Sequence, residues 1–178
     1  MKLSLRIKNL EKRWKFFLIN KIYVGTRKYE KKRKLMISLG MEIGEGTKIV
    51  GPIFCTGELK VGKNCWIGKN FNINGNGKVF IGDNCDIGPE VIFQTGGHAI
   101  GSAIRRAGEG DNYSQYVGNG TWIGGRVTVL NTTKIGNSCV VAGCACVTKD
   151  IPNNTLVGGV PAHVIRILGN EEAEQYKQ

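Results

Sequence analysis

Long apolar runs are missing from this sequence of 178 residues. No run approaches the roughly 18 residues of a membrane-spanning helix. Charged residues also keep interrupting the chain from its start through Lys21, so no secretory signal segment is predicted. We therefore expect a cytoplasmic protein, in which the six cysteines stay reduced rather than pair as disulfides.

Proline and histidine are scarce, at 4 and 2 residues, whereas glycine is abundant at 26. This balance excludes collagen and a proline-rich linker, and the length suits one domain with many tight turns. Because only His98 and His163 are present, one chain cannot supply the three histidines of a zinc carbonic anhydrase site. Cys144 and Cys146 lie close together, but no second pair or nearby histidine completes four ligands, so no metal is expected.

A period of six organises most of the chain. Aliphatic residues, replaced once by Cys55 and once by Phe93, recur at every sixth position in three runs. The positions are Ile43, Ile49, Cys55, Val61, Ile67 and Ile73, then Ile81, Ile87 and Phe93, then Val117, Ile123, Val129, Ile135, Val141 and Val147. Small residues follow four positions later, at Thr47, Cys65, Cys85, Val91, Thr121, Val127, Cys139 and Ala145. This period fits neither a helix nor a half-buried strand, and it predicts short strands joined by tight corners and stacked as a solenoid.

The repeats are interrupted between Phe93 and Val117. We expect residues 94–116 to protrude as a loop, and a loop of this length in a compact domain is usually functional or disordered. His98 opens it beside Gly96 and Gly97, where the backbone can approach a ligand closely. From the residues alone, a catalytic base and a solvated loop histidine remain equal alternatives for His98.

Positive charge is concentrated before the repeats. Residues 1–36 hold 13 Lys and Arg against only Glu11 and Glu30, so this segment alone carries the net charge of +11. Aromatic and aliphatic residues lie among these cations, which predicts basic amphipathic helices over residues 1–40. They are expected to cap the open end of the solenoid, to touch an anionic membrane through residues 1–36, including the cations of 31–34, or to do both. No nucleic-acid motif accompanies the charge, and none is expected as a partner.

The last repeats end in VTKDIP at 147–152, VGGVPA at 157–162 and VIR at 164–166. Together with the repeats, they resemble the hexapeptide-repeat acyltransferases over residues 43–168. The resemblance implies an all-β fold with a left-handed parallel β-helix over residues 41–168. The composition of residues 169–178 predicts a polar tail. It also implies a homotrimer that binds acetyl-CoA in clefts between its subunits.

NFNI at 70–73, IGDN at 81–84, Pro89 and His98 are similar to the galactoside, maltose and xenobiotic acetyltransferase branch. That resemblance implies His98 as the general base and Asn70 at the acceptor site. TWIGG at 121–125 resembles the motif of xenobiotic and polysaccharide O-acetyltransferases that sets Trp122 beside the histidine. The turn after Ile73 lacks the acidic residues of the branch and Glu90 replaces a common Asn, so the acceptor is not expected to be a simple galactoside.

The chemistry assigns roles to further residues. A sugar hydroxyl is too weak an acid to ionise near neutral pH, so a neutral imidazole must remove its proton, and a backbone N–H near Gly124 and Gly125 would bind the oxyanion. Coenzyme A needs backbone groups along its arm and cations at its nucleotide end. The expected cofactor contacts are Gly124, Ala142, Gly143, Thr148, Lys149 and Arg166, and the expected acceptor contacts are Asn70, Asn72, Arg105 and Asp111. His163 is expected at the surface or at the edge of the cofactor.

The leading hypothesis is an acetyl-CoA-dependent O-acetyltransferase acting on a carbohydrate, such as a surface polysaccharide, capsule or lipopolysaccharide precursor. Its rivals are an N-acetyltransferase of a nucleotide-linked amino sugar and a scaffold without catalysis. Serine O-acetyltransferase is disfavoured because the long helical domain and Asp-Arg-His motif of that family are absent.

Overall fold

The computed structural model describes residues 2–169, with side chains from residue 9 onward. The predicted polar tail at 169–178 therefore lies, beyond Gly169, outside the described residues. No helix in the described part of the chain is long and apolar enough to cross a membrane. All six cysteines are free thiols.

The chain winds through about six coils, most of which contribute one strand to each of three parallel sheets. The first three coils consist of β1 (Glu42–Ile43), β2 (Lys48–Ile49) and β3 (Ile53–Cys55), then β4 (Glu58–Val61), β5 (Trp66–Ile67) and β6 (Phe71–Asn74), then β7 (Lys78–Ile81), β8 (Asp86–Ile87) and β9 (Ile92–Gln94). A hairpin follows, formed by β10 (Gly96–Ile100) and β11 (Ala107–Asn112). The remaining strands are β12 (Ser114–Val117), β13 (Trp122–Ile123), β14 (Thr128–Val129), β15 (Lys134–Ile135), β16 (Val140–Val141), β17 (Cys146–Val147), β18 (Thr155–Gly158) and β19 (His163–Ile167).

Strands of successive coils stack in register, which builds the three sheets. Sheet one has the order β1-β4-β7-β12-β15, sheet two β2-β5-β8-β13-β16-β18-β19 and sheet three β3-β6-β9-β14-β17. Within these three sheets, β19 alone of the described strands runs antiparallel, where it folds back on β18. The predicted parallel β-helix is confirmed.

The six-residue period fills the core as predicted. In sheet three, Cys55 pairs in register with Ile73, Ile73 with Phe93, and Phe93 with Val129. Phe93 is fully buried, and removing a buried phenylalanine ring costs about 3–5 kcal/mol. Cys55 packs against this core and burial raises the pKa of its thiol to about 12, which fits a structural cysteine.

The small residues predicted at the corners are all buried. Several also link one coil to the next. The Thr47 hydroxyl accepts the Cys65 N–H at 3.0 Å, and the Cys65 thiol accepts the Cys85 N–H at 3.4 Å. The Cys85 thiol in turn donates to the Gly118 carbonyl at 3.1 Å. Threonine and cysteine recur here because the corner needs a small side chain that both donates and accepts hydrogen bonds.

The basic segment forms helix α1 (Lys2–Phe17), a π-helical turn (Leu18–Ile22) and helix α2 (Tyr29–Ser38). The π-helical turn and α2 close the first end of the solenoid, because Ile19 and Met36 are fully buried in the same cluster as the first coil. The Asn20 amide donates to the Ile53 carbonyl at 2.8 Å and accepts the Ile53 N–H at 2.9 Å. These contacts are those expected of a cap.

Lys32 departs from the expected membrane-facing charge of residues 31–34. Its side chain is 0% exposed, and its ammonium donates to the Gly25 and Val50 carbonyls at 2.6 and 2.8 Å. Burial lowers its pKa to about 8. Arg33 is also engaged, with Glu30 and with the Ile43 carbonyl. Of the four cations at 31–34, Lys32 and Arg33 therefore hold the helical cap in place rather than face outward.

Candidate functional site

His98 lies on the hairpin and is exposed to solvent. Its Nδ1 atom is 3.0 Å from the carbonyl oxygen of Gly108 on the opposing strand. A carbonyl oxygen only accepts, so Nδ1 carries the hydrogen in this bond and Nε2 keeps its lone pair. The glycine at 110, in register with His98, puts no side chain beside the ring. This geometry is the one a general base needs.

The hairpin contains fewer residues than the predicted loop at 94–116, because Gln94 still belongs to β9 and Ser114 already belongs to β12. Its root lies against the turn that follows β6. A Cβ atom on Gly75, which has a φ of +107°, would collide with the backbone nitrogen of Gly96. Glycine at 75 thus lets the hairpin leave the solenoid directly above this turn.

The predicted acceptor residues on β6 lie at different distances from this root. Asn74 pairs in register with Gln94, two residues before the hairpin begins. Asn72 is the outward-facing residue that precedes Asn74 on β6. Asn70 lies in the turn before β6 and has a φ of +58°. With about 3.3 Å per strand residue, Asn70 lies roughly 13 Å along the strand from Asn74. The structure therefore brings Asn72 closer to His98 than Asn70.

Two buried amide oxygens on the outer side of sheet three have no hydrogen-bond partner among the described residues, Asn72 Oδ1 and Gln94 Oε1. The Oε1 of Gln115, buried in the core, is likewise without a partner among the described residues. Buried polar atoms are nearly always paired, and either water or a ligand hydroxyl can supply the donor. Sequence reasoning did not single out Gln94, because only the register of β9 shows that its side chain faces outward next to the hairpin root.

The two predicted acceptor contacts in the hairpin lie at opposite ends of it. Asp111 is in register with Gly97, next to His98, and its Oδ1 accepts the Asn112 N–H at 2.7 Å. Arg105 lies in the tip turn, where its N–H donates to the Ser102 carbonyl at 3.1 Å, and its side chain is exposed. Asp111 follows Gly110, which shares the face of His98, so the Asp111 side chain projects to the other face of the hairpin. Neither predicted contact is placed beside the imidazole.

Trp122 lies on sheet two, whereas the hairpin leaves from the end of sheet three. Its indole is 56% exposed and makes no ring contact within the described part of the chain. Trp122 and His98 are therefore carried by different elements of one chain.

The predicted cofactor contacts at the corner between sheets two and three differ in whether their backbone N–H groups are already hydrogen-bonded. The Gly124 amide donates to the Val141 carbonyl at 2.8 Å, and the Ala142 amide donates to Val157 at 2.9 Å. Both N–H groups are therefore occupied. The amides of Gly125 and Gly143 have no backbone acceptor in the described residues, and Gly143 is exposed. These two amides are the ones that can meet a ligand.

The remaining predicted cofactor contacts follow along the last coils. Thr148 is half-buried and Lys149 exposed, just past β17, so Gly143 and Lys149 flank this strand at its two ends. Arg166 lies on β19 in register with Leu156. His163 is exposed on the same strand. Among the described residues, no three His, Cys, Asp or Glu side chains gather as a metal site would require.

An apolar groove of about 710 Å³ lies between α1 and β3, away from the hairpin. None of the predicted site residues lines it. Its lining residues are Asn9, Lys12, Arg13, Phe16, Phe17, Asn20, Lys21, Pro52 and Phe54.

Similar proteins are known in sequence and in structure. The chain is 33% identical over 153 residues to the galactoside O-acetyltransferase of Escherichia coli (strain K12), covering 83% of this chain and 73% of that protein. It is 30% identical over 150 residues to the galactoside O-acetyltransferase of Lactococcus lactis subsp. lactis (strain IL1403), covering 83% and 72%. The chain matches no family model.

Solved structures give the same picture. A hexapeptide-repeat acetyltransferase from Vibrio cholerae O1 biovar eltor, complexed with acetyl-CoA, superposes with a TM-score of 0.77 at 26% identity, covering 94% of this chain and 90% of that one. A galactoside acetyltransferase in complex with coenzyme A gives a TM-score of 0.69 at 27% identity, covering 98% and 88%. The predicted left-handed β-helix is confirmed by these likenesses. The chain therefore belongs to the hexapeptide-repeat acetyltransferases and is an acyltransferase of the galactoside and maltose O-acetyltransferase type.

Proposed function

We propose that the protein transfers an acetyl group from acetyl-CoA to a hydroxyl of a carbohydrate, with His98 as general base. The hydrogen bond between His98 Nδ1 and the Gly108 carbonyl supports this assignment most directly, because it leaves Nε2 as the acceptor of a proton. The acceptor class is a surface polysaccharide, capsule or lipopolysaccharide precursor. The unpaired oxygens of Asn72 and Gln94 favour a ligand rich in hydroxyl groups.

The reaction balances as an acyl transfer. The acceptor oxygen attacks the thioester carbonyl carbon while His98 Nε2 takes the hydroxyl proton. The C–S bond then breaks, and coenzyme A leaves as a thiol carrying the proton that imidazolium returns. The oxyanion needs an N–H donor, and Gly125 is the candidate because the Gly124 amide is already bonded to Val141.

Acetyl-CoA is the co-substrate, and its arm is proposed to lie along the corner of Ala142 and Gly143. Exposed Gly143 offers its amide, and a side chain there would narrow the path. Lys149 and Arg166 supply positive charge for the phosphates at the nucleotide end, and Thr148 lines the cleft between them.

The active assembly is proposed to be a homotrimer, with each site shared between neighbours. In one chain His98 lies on the hairpin and Trp122 on sheet two, and the proposal is that Trp122 of a neighbouring copy covers the imidazole. The tip of the hairpin also exposes Ile100 and Ile104 almost completely, an arrangement that suits an arm resting on another subunit.

The first helix is proposed to rest on an anionic membrane, which would bring the enzyme to a lipid-linked acceptor. Leu10, Trp14 and Phe17 are exposed on one face of α1, and Arg13 lies next to Phe17 at the edge of this face. Cosedimentation with anionic vesicles tests this: Trp14→Ser should lower binding, whereas Val24→Ser, an exposed control outside α1, should not. Equal binding by both variants would remove the membrane from the proposal.

Release of free coenzyme A tests the reaction itself. Wild-type protein is assayed with acetyl-CoA against saccharides, amino sugars, nucleotide-linked amino sugars and chloramphenicol. Turnover on hydroxyl acceptors supports the proposal, and turnover restricted to amines would replace it with N-acetylation. No binding of acetyl-CoA by calorimetry would make the chain a scaffold. Sedimentation velocity checks the trimer, and a monomer at assay concentration would contradict a shared site.

A further inference from the structure

Three side chains stand in one row on the outer face of sheet two. Asp86 pairs in register with Trp66 on one side and with Trp122 on the other. Neighbouring strands are about 4.8 Å apart, so the two tryptophan backbones face each other across the aspartate at roughly 9.6 Å. This row, Trp66–Asp86–Trp122, is called the indole row below.

The two tryptophans of the indole row differ in their surroundings, since Trp66 is packed against another ring and Trp122 is exposed. The Trp66 ring meets the Tyr29 ring of α2 with centroids 5.9 Å apart and a tilt of 59°. Trp66 is half-buried as a result. Trp122 makes no such ring contact within the described residues and is free to close on a ligand.

The carboxylate between the indoles has no partner. Asp86 is exposed, and within residues 9–169 no cation or hydrogen-bond donor reaches its side chain. Its carboxylate can therefore exchange water for the hydroxyl donors of a ligand that stacks on the flanking indoles.

Sheet one provides the contrast. Its exposed aromatic pair, Phe80 and Tyr116, stacks face to face with centroids 4.9 Å apart at 8°. The ammonium of Lys60 lies over Phe80 and pairs with Glu42 at 2.7 Å. On that face the aromatic and charged groups pair with each other, whereas on the indole row Trp122 and Asp86 have no ring or charge partner in the described residues.

We propose that the indole row is a subsite for a neutral pyranose ring of the acceptor glycan, an inference that rests on the proposed function. A pyranose has an apolar C–H face that stacks on an indole and a rim of hydroxyl groups that donate to a carboxylate. Contacts of 3.5–4.0 Å on both faces of the pyranose require the two indole rings to lie about 7–8 Å apart. The backbones of Trp66 and Trp122 are about 9.6 Å apart, which allows this separation. Asp86 repels phosphates, so the nucleotide end of coenzyme A is excluded. Because Trp122 is proposed to meet His98 of another copy, the subsite adjoins the reacting hydroxyl.

Saturation-transfer NMR tests the subsite without catalysis. Intact His98→Ala protein, without acetyl-CoA, is titrated with methyl glycosides of glucose, galactose, mannose and N-acetylglucosamine. We expect at least one glycoside to receive saturation on its ring C–H protons. Asp86→Ala and Trp66→Ala, made in the same background, should each weaken its Kd by about tenfold or more. Tyr116→Ala, which removes the exposed aromatic residue of sheet one, is the matched control and should leave the Kd unchanged.

The outcomes separate this inference from the proposed function. Absence of saturation with every glycoside, or an unchanged Kd in Asp86→Ala, would overturn the subsite even if the wild type releases coenzyme A on a carbohydrate. Saturation that Asp86→Ala abolishes would support the subsite even if no turnover were found. Thermal unfolding shows whether Trp66→Ala still folds. If it does not, the Kd of Asp86→Ala alone decides whether the subsite exists.

Discussion

Gly108 offers its carbonyl oxygen to His98 Nδ1 at 3.0 Å across the hairpin. The bond fixes the tautomer of the imidazole and orients its ring, so the backbone of β11 positions the proposed base. Activity should therefore depend on the shape of the hairpin as well as on the histidine.

Gly101→Ala should disturb the hairpin without disturbing the solenoid. A Cβ atom at this position would collide with the carbonyl oxygen of Arg105, and the strand that carries Gly108 would have to shift. We expect kcat to fall by about tenfold or more, since small displacements of a catalytic group are costly.

The control for this variant is Ser102→Ala, whose side chain is exposed in the same turn. Both proteins should unfold within about 2 °C of the wild type, because the hairpin lies outside the core. A Gly101→Ala enzyme with full kcat would show that the hairpin geometry does not matter.

Lys32 should make the stability of the cap depend on pH. Its pKa is 10.5 when unfolded and about 8 when folded, so between these values the unfolded chain binds more protons. The free energy of unfolding should therefore rise as pH increases from 8 to 10.5, by about 1–3 kcal/mol from this residue. Below pH 8 the ammonium is charged in both states and its contribution stays constant.

Urea unfolding of wild type and Lys32→Met at pH 8 and pH 10 measures this effect. The rise with pH should be larger in the wild type than in Lys32→Met. Lys31→Met, which removes an exposed lysine, should behave like the wild type. Identical pH dependence in all three proteins would mean that Lys32 is not buried in solution.

Asn20 should be the residue that ties the π-helical turn to β3. Its amide satisfies both the N–H and the carbonyl of Ile53. Asn20→Ala leaves both groups without a partner, so we expect a loss of about 2–4 kcal/mol in the free energy of unfolding. Asn76→Ala, at an exposed position in the turn after β6, is the control. Equal stabilities of the two variants would show that these bonds do not hold the cap.

The corner at Cys85 should distinguish hydrogen bonding from size. Cys85→Thr keeps a donor for the Gly118 carbonyl and copies Thr121 in the next coil, whereas Cys85→Val has a similar volume and no donor. We expect Cys85→Val to be less stable than Cys85→Thr by about 1–2 kcal/mol in chemical unfolding. Equal stabilities of Cys85→Thr and Cys85→Val would show that the corner requires only a side chain of suitable volume and not a hydrogen-bond donor.

The repeating part of this fold could be predicted from the sequence because each coil repeats the same local requirement. An inward aliphatic residue and a small corner residue, such as Ile67 and Cys65, recur at fixed spacing, so one pattern predicts every coil. The cap was less predictable. A lysine is normally exposed, and only tertiary packing shows that Lys32 of α2 is buried against the solenoid.

The candidate site was only partly predictable for similar reasons. His98 could be proposed from the sequence because it lies where the six-residue period is interrupted and matches a motif of the family that the chain resembles. The antiparallel pairing that joins it to Gly108 has no hydrophobic alternation to reveal it, because this strand pair is glycine-rich and largely exposed. Asn72 was expected from the sequence, whereas Gln94 depends on strand register. The proposed place of Trp122 over His98 depends on the proposed assembly. Such relations arise between coils and between copies rather than within a motif.

Substitution of the two histidines tests the central claim most directly, since the chain has only His98 and His163. Initial rates of coenzyme A release are measured for wild type, His98→Ala and His163→Ala on the best hydroxyl acceptor, with acetyl-CoA binding followed by calorimetry. His98→Ala should lose kcat by about 100-fold or more while still binding acetyl-CoA, and His163→Ala should at most raise the KM for acetyl-CoA. Unchanged kcat in His98→Ala, or a large loss of kcat in His163→Ala instead, would contradict the assignment of His98 as the base.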